Sequence, residues 1–284
     1  MGAVLLDGIV LGLQFGILGV GLTLVYGLGG VVNLAHGQMA VLAAIVTARL
    51  MDSGSPTLLA VALGVAGVGL VGIVIDRTLM QPVYREKGDH RVLLGLLLML
   101  GVGFIIDGIL EWRYPIEALN LRIAGEPVIV FGLKVRRGSI VASSIIVAVG
   151  LALVVFFRYT TFGRATRSVI QDEEGARLCG INPATVRTVI FGVSGVLAGI
   201  VAVTQAMTTP VVSTAGVGLT IFALIVAVVG GLGSVSGAFL AGILLGIVNT
   251  VSAFYIGTFV STIILVAAAA VTILVRPQGL LGRA

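Results

Sequence analysis

The longest stretch of this chain without a formal charge is residues 188–275, which read TVIFGVSGVLAGIVAVTQAMTTPVVSTAGVGLTIFALIVAVVGGLGSVSGAFLAGILLGIVNTVSAFYIGTFVSTIILVAAAAVTILV. These 88 residues lie between Arg187 and Arg276. Because one membrane-spanning helix needs about 20 apolar residues, the stretch is long enough for about four of them. A soluble domain would carry roughly 25% charged residues throughout. The stretch therefore predicts a polytopic, all-α membrane protein.

The rest of the chain extends this prediction to its whole length. Hydrophobic residues make up 58% of the sequence and charged residues only 10%. The other uncharged stretches, residues 8–48, 53–75, 92–106 and 138–157, add about two, one, one and one crossings. Since any one of these segments could be re-entrant, we predict about eight or nine transmembrane helices in a single domain, residues 1–284.

The distribution of Lys and Arg predicts the orientation in the membrane. Cytoplasmic loops of membrane proteins carry an excess of these residues. Residues 76–91, residues 158–187 and the C-terminal tail together hold 11 of the 17 Lys and Arg residues. We therefore expect these three segments in the cytoplasm and the loop 111–137 outside. This bias also accounts for the net charge of +5, so we expect no nucleic-acid partner.

The outer loop, residues 111–137, contains a pattern typical of paired strands. The sequence PVIVFGLKVRR has two short β-rich runs around Phe131-Gly132. Such runs separated by a short turn predict a β-hairpin, and the alternative is an irregular loop.

The inner loop, residues 158–187, is longer than a simple connector, which usually has two to eight residues. The run Asp172–Leu178 predicts a short helix with carboxylates at its positive end. Gly180 can end that helix, and Asn182-Pro183 can begin the next one. The predicted helix would present Ala176, Leu178 and Cys179 to a partner. We therefore interpret the loop as a docking element, and the alternative is a solvated connector. Candidate helix caps in the loop are Thr160, Thr161 and Ser168.

An apolar stretch at residues 25–44, VYGLGGVVNLAHGQMAVLAA, is interrupted by glycines and polar residues. Irregular backbone at membrane depth is tolerated only where it is buried in protein or lines a cavity. Polar side chains there are costly and face the interior of the bundle. The segment therefore predicts part of a translocation path, with Asn33 and His36 as its central residues. Alternatively, these two side chains only satisfy backbone groups at a helix break. The candidate path residues here are Tyr26, Asn33, His36 and Gln38.

A second apolar stretch, residues 228–250, is also interrupted by glycines and carries Ser234 and Ser236 near the interruption. Paired interrupted segments are typical of transport pathways, although glycine-rich membrane helices often only pack closely. Gln205 and Thr208 precede Pro210 and are candidates to reach the same cavity.

The sequence has no motif for catalysis, metal binding or ATP hydrolysis. Lys87 and Lys134 are its only lysines, and neither stands in a phosphate-binding P-loop. His36 and His90 are too far apart to read as a metal motif. We therefore expect no catalytic residue, no metal and no cofactor, and active transport would need energy from another polypeptide.

Three stretches resemble motifs of the branched-chain amino acid permeases (LivH/LivM type) of bacterial and archaeal ABC transporters. YGLGGVVNLAHGQM, residues 26–39, resembles the signature Tyr-Gly-x3-Val-x-Asn-x-Ala-His-Gly. Residues 163–187 resemble the loop Gly-Arg-Ala-x-Arg-Ala-x-x-Gln-Asp, and RPQGLLG, residues 276–282, resembles Arg-Pro-x-Gly-Leu-x-Gly. Their order and spacing cover nearly the whole chain.

The resemblance implies a permease subunit of an ABC importer for branched-chain amino acids or a related small polar solute such as urea or an amide. It implies two ABC ATPase subunits that hydrolyse the ATP, a second permease subunit, identical or related, and an extracytoplasmic solute-binding protein. It also implies the plasma (inner) membrane of a bacterium or archaeon as the location.

ABC permeases in general carry a cytoplasmic coupling motif, Glu-Ala-Ala-x3-Gly-x9-Ile. Here Glu174-Gly175-Ala176, Gly180 and Ile190 stand at matching spacing, while Gly192-Val193 replaces the usual Leu-Pro. By this resemblance, residues 172–181 would sit in a groove of the ATPase subunit. The residues implied in coupling are Asp172, Glu173, Glu174, Gly175, Ala176, Arg177, Leu178, Gly180 and Ile181.

Two other classes of protein remain as alternatives. A stand-alone channel or secondary transporter would account for the interrupted helices but not for a docking loop of 30 residues. A membrane-embedded enzyme should show clustered Asp, Glu, His or Cys at membrane depth, where this sequence shows only His36.

Overall fold

The computed structural model describes residues 2–115, 118–121, 123, 126–130 and 133–282. In this part of the chain, the helices are α1 (Gly2–Gly29), α2 (His36–Asp52), α3 (Thr57–Ile75), α4 (Gln81–Val83), α5 (Gly88–Arg113), α6 (Arg137–Tyr159), α7 (Thr161–Gln171), α8 (Glu173–Leu178), α9 (Pro183–Ala206), α10 (Gly216–Gly230), α11 (Val235–Ile256) and α12 (Thr258–Val275). A π-helical turn, Asp76–Met80, joins α3 to α4, and a 3-10 turn, Ser213–Ala215, precedes α10.

Within these described ranges, eight helical segments are long and apolar enough to cross a membrane. This confirms the predicted all-α polytopic membrane protein, and eight is the lower of the two predicted numbers of helices. The helix α2, with 17 residues, is shorter than these eight. The segments are Val4–Gly29, Thr57–Val83, Gly88–Arg113, Arg137–Tyr159, Pro183–Ala206, Ser213–Gly230, Val235–Ile256 and Thr258–Val275.

The strands are short and lie between the helices. The strands β2 (Val128–Val130) and β3 (Leu133–Val135) pair antiparallel, which confirms the two arms of the predicted hairpin. Its proposed turn at Phe131-Gly132 lies outside the described residues. The strand β1 (Ala118–Leu119) pairs antiparallel with β4 (Val211–Val212), so the ends of α5 and α9 lie on the same side of the bundle.

The helix α1 runs through the middle of the bundle and packs against α11, α9 and α10. Glycines make the contact with α11 close. A Cβ atom added to Gly12 would lie 2.7 Å from the Cα of Ile243, so the two backbones touch without intervening side chains. Such close approach of small residues is how membrane helices gain packing energy without a hydrophobic driving force.

The predicted interruption in residues 25–44 is confirmed. The helix α1 ends at Gly29, Gly30 has a φ of +66°, and residues 31–35 are not helical. Because Nε2 of His36 lies 3.1 Å from the carbonyl oxygen of Leu18, α2 begins level with the middle of α1. The chain therefore turns back at Gly30 and starts a new helix inside the membrane.

The second glycine-rich stretch forms the turn between α10 and α11 rather than an interruption within one helix. Gly231 and Gly233 have φ values of +102° and +92°, and Ser234 caps α11 by accepting a hydrogen bond from the Gly237 N–H at 3.1 Å. The turn lies beside the end of α1, since a Cβ added to Gly27 would lie 3.6 Å from the Cα of Gly233. The two glycine-rich segments thus meet at one end of the bundle.

Candidate functional site

The polar residues at the start of α2 are buried and bonded within the protein. Both His36 and Asn33 are fully buried. Nδ1 of His36 lies 3.4 Å from Oγ of Ser194, and that hydroxyl donates to the carbonyl oxygen of Gly21 at 2.9 Å. Oδ1 of Asn33 accepts a hydrogen bond from the Ala35 N–H at 3.0 Å. These contacts hold α2 against α1 and α9 and satisfy backbone groups freed by the break.

Gln38 occupies a different position, beside a cavity. Its Nε2 donates to Oδ2 of Asp107 at 3.3 Å, and its Oε1 accepts from the Thr220 hydroxyl at 2.9 Å. The Thr220 oxygen also accepts from the Gly37 N–H at 2.9 Å, so one hydroxyl joins the first turn of α2 to α10. The cavity has a volume of about 210 Å³ and lies between α2, α5 and α10; its lining includes Gln38, Thr220, Gly103, Phe104, Val217 and Ile221.

The other candidate path residues lie far from His36 along the helix axes. Tyr26 is half-buried in α1, eight residues beyond Leu18, which corresponds to about 12 Å at 1.5 Å per residue. Gln205 is 11 residues beyond Ser194 in α9, or about 16 Å away. Its carbonyl oxygen accepts a hydrogen bond from the Thr208 hydroxyl at 2.9 Å. The six predicted residues are therefore spread along the helix axes and do not form one cluster.

The inner loop folds into two helices, of which the sequence predicted only the second. Thr160 caps α7 by accepting a hydrogen bond from the Gly163 N–H at 2.9 Å. The proposed caps at Thr161 and Ser168 are wrong, because both residues lie inside α7, and the Ser168 hydroxyl donates to the Arg164 carbonyl oxygen.

The predicted helix after Asp172 is confirmed as α8. Oδ1 of Asp172 accepts a hydrogen bond from the Glu174 N–H at 3.0 Å and caps the helix. Gly180 has a φ of +81° and ends it. Asn182 then caps α9 through the Ala184 N–H at 3.0 Å, with Pro183 in the first turn. These boundaries are predictable because capping depends on a few neighbouring residues.

The outward face of α8 differs from the prediction at one position. Leu178 is 87% exposed, and Cys179 is exposed. Ala176 is buried, so the expectation that it faces a partner is wrong. Its side chain belongs to the hydrophobic core, because one side of so short a helix must pack against the bundle.

A buried polar cluster beside α8 was not predicted from the sequence. The carboxylate of Asp76 is fully buried and accepts hydrogen bonds from the hydroxyls of Thr188 at 2.6 Å and Tyr84 at 3.1 Å. Nε2 of Gln81 also donates to it, at 3.2 Å. Burial, followed by the charge of Asp76, raises the pKa of the Tyr84 hydroxyl, so this group stays protonated and donates. The only signal in the sequence was that Asp76 ends an apolar stretch.

The guanidinium group of Arg187 extends this cluster to α1 and α8. Its Nε donates to the carbonyl oxygen of Leu28 at 3.0 Å, and its Nη2 pairs with the carboxylate of Glu173. The group also lies over the ring of Tyr84, 4.5 Å from the centroid. In the part of the chain that the structure describes, no three His, Cys, Asp or Glu side chains are close enough to hold a metal ion.

Comparisons with known proteins agree with this architecture. Residues 4–275 match the family model described as "Branched-chain amino acid transport system / permease component". The permease protein LivH of the high-affinity branched-chain amino acid transport system of Escherichia coli K12 is 28% identical over 98% of this chain and 94% of its own length. BraD of Pseudomonas aeruginosa is 28% identical over 98% of this chain and 95% of its own.

An archaeal protein and a solved structure are also similar. A probable LivH of Methanocaldococcus jannaschii is 27% identical over 94% of this chain and 88% of its own length. A chain in the structure of PsaBC from Streptococcus pneumoniae in complex with Fab shares the fold, with a TM-score of 0.53 and 14% identity, over 96% of this chain and 91% of that one. Because the family model matches nearly the whole chain, this protein belongs to the family of permease components of branched-chain amino acid transport systems.

Proposed function

We propose that this chain is the membrane permease subunit of an ABC importer for branched-chain amino acids or a related small polar solute. The observation that carries the proposal is the family match over residues 4–275, which includes all eight of the described membrane-spanning segments. In this proposal the chain is not an enzyme. Two separate ABC ATPase subunits hydrolyse ATP, a second permease subunit completes the path, and an extracytoplasmic solute-binding protein delivers the solute.

The proposed orientation places residues 158–187 and the C-terminal tail in the cytoplasm of a bacterial or archaeal cell and residues 111–137 outside. The bias of Lys and Arg supports it. The internal geometry is consistent with it, because the N–H of Leu280 donates to the carbonyl oxygen of Val229 at 2.8 Å. This contact puts the tail against the turn between α10 and α11, at the same end of the bundle as Tyr84 and Arg187.

The coupling helix of the proposal is α8 with its flanks, residues 172–181. It stands at the surface, its first turn is acidic, and its exposed Leu178 has no apolar cover in the chain. Exposed apolar surface rimmed by polar residues is one mark of a protein-interaction site. These features support a docking role for the helix on an ATPase subunit.

The proposed solute path passes the cavity at Gln38. Most of its lining is apolar, and its polar groups are the amide of Gln38 and the hydroxyl of Thr220. These two groups hydrogen-bond to each other and, in this proposal, exchange that bond for one to the passing solute. Several large apolar residues around the cavity are exposed in the single chain, among them Phe104, Val217 and Ile221. In this proposal the second permease subunit, rather than lipid, covers that face.

The docking assignment is tested by deleting residues 172–178 or by the substitution Glu174→Arg. We expect either variant to insert normally in the membrane, to lose co-purification of the ATPase subunits and to lose solute uptake. The matched control is Glu86→Arg, since Glu86 lies in the other cytoplasmic loop and is exposed, with a pair to His90. Undiminished binding of the ATPase subunits by the deletion variant would contradict the assignment.

A further inference from the structure

Arg187 connects α8 to the end of the first membrane helix through two different nitrogen atoms. The residue is only 4% exposed, although it lies next to the cytoplasmic loop. Its Nη2 pairs with Glu173, the first residue of α8, and its Nε donates to the Leu28 carbonyl oxygen at 3.0 Å. One guanidinium group therefore touches the proposed coupling helix and the break in α1 at the same time.

The contact at Leu28 stabilises the end of α1. The last carbonyl groups of a helix have no partner within it and carry the negative end of its dipole, so a cation there is favourable. The carbonyl oxygen of Tyr26 is satisfied by the Gly30 N–H at 2.7 Å, but that of Leu28 receives its donor from Arg187 in α9. The chain reverses two residues later, at Gly30, and leads to the start of α2.

The contact between Arg187 and Glu173 lies at the surface of the bundle, on the helix that the proposal docks on an ATPase subunit. The Glu173 side chain is 33% exposed and also pairs with Arg177 at 2.7 Å. If α8 moves, Glu173 moves with it. A buried charge that loses its partner is strongly destabilised. Arg187 must then follow Glu173 and release Leu28, or remain in place without the Glu173 carboxylate.

The other residues of the buried cluster form a fixed base that holds Arg187 at the start of α9. Thr188, the next residue in α9, donates a hydrogen bond to Asp76, and so does the hydroxyl of Tyr84. The guanidinium group of Arg187 lies over the Tyr84 ring. Because these groups are buried and bonded, the start of α9 is held to the π-helical turn after α3. Beyond this fixed base, Arg187 contacts Glu173 and Leu28.

We propose that Arg187 is a positioning residue that transmits movement of α8 to the break at Gly29–Gly30, and thereby to the start of α2. This inference rests on the proposed function of α8 as the coupling helix. It adds a specific route between the ATPase subunits and the break, carried by Glu173, Arg187 and the Leu28 carbonyl group.

The test is Glu173→Gln in the full complex with its ATPase subunits and solute-binding protein, reconstituted in liposomes. The Glu173 side chain is turned toward Arg187 and is only 33% exposed, so its substitution leaves the outward docking surface at Glu174 and Leu178 unchanged. We therefore expect the ATPase subunits to co-purify and to hydrolyse ATP, while solute imported per ATP hydrolysed falls by about 2- to 30-fold, the range of substitutions that change coupling. The control Glu86→Gln removes the same charge from an exposed pair in the other cytoplasmic loop. Because exposed pairs contribute little, we expect this control to leave solute import per ATP nearly unchanged. An unchanged import per ATP would overturn the proposal.

A second measurement follows the break itself. The chain has one cysteine, Cys179, so Val32→Cys can be labelled alone in a Cys179→Ser background. We expect ATP to change the labelling rate at residue 32, and Glu173→Gln to abolish that change. The same ATP response with Glu173→Gln, or no response with Glu173 intact, would overturn the proposal.

The outcomes separate this inference from the proposed function. If Glu173→Gln loses the ATPase subunits, Glu173 is a docking residue, and the route through Arg187 is overturned while the docking role of α8 stands. If deletion of residues 172–178 leaves the ATPase subunits bound, the docking role itself is wrong.

Discussion

Replacing Thr188 with valine removes one hydrogen-bond donor from a buried carboxylate and changes little else in shape. The Thr188 hydroxyl lies 2.6 Å from Oδ2 of Asp76 and 3.0 Å from the carbonyl oxygen of Ala184, one turn back in its own helix. A hydrogen bond to a charged group contributes about 1.5–3 kcal/mol. We therefore expect Thr188→Val to lower the free energy of unfolding by about that amount.

The matched control is Thr78→Val, which isolates the bond to Asp76. The Thr78 hydroxyl donates to the carbonyl oxygen of Val74, also one turn back, and the residue is exposed. The single hydroxyl proton of Thr188 goes to the closer and charged acceptor, Asp76, whereas that of Thr78 goes to a carbonyl oxygen of its own helix. Only Thr188→Val therefore leaves the carboxylate with one donor fewer. Surface substitutions of this kind change stability by about 0.5 kcal/mol or less.

The assay is reversible unfolding of the purified chain in mixed micelles, followed by circular dichroism. The difference between the two variants measures the contribution of the Thr188 hydroxyl to the buried carboxylate. If Thr188→Val and Thr78→Val agree within about 0.5 kcal/mol, Asp76 does not depend on this donor and the reasoning fails.

Three further predictions concern packing, docking and transport. Gly12→Ala should lower the thermal midpoint of unfolding, because its Cβ would lie 2.7 Å from the α11 backbone and overpacking costs about 1–3 kcal/mol. The control Gly101→Ala should leave the midpoint unchanged, because a Cβ there meets no atom within 4 Å. Leu178→Ala should weaken binding of the ATPase subunits by about fivefold or more in a pull-down titration, and Leu58→Ala, which is as exposed but in α3, should not. Gln38→Leu should lower solute uptake per inserted molecule, as counted by immunoblot; uptake equal to that of the unsubstituted chain would remove Gln38 from the path.

The features that the sequence alone determined are local ones. The uncharged stretch 188–275 contains most of α9 and all of α10 to α12, the four helices predicted, because a membrane helix needs only an apolar run of the right length. The interruption at residues 25–44 follows from glycines in an apolar run. The ends of α8 follow from Asp172 and Gly180, whose capping contacts involve neighbouring residues.

The tertiary structure decided which of these residues meet. Arg187 reaches Leu28, 159 residues away in the chain, and Thr188 reaches Asp76, 112 residues away. In the sequence, Asp76 and Arg187 are recognisable only as charged residues at the boundaries of apolar stretches. No residue near them in the sequence indicates which distant residues they contact. Contacts between distant residues depend on how the helices pack, and here close glycine contacts along α1 set that packing. The sequence therefore determined the spans and their ends, and the packing of the helices determined the buried cluster that joins them.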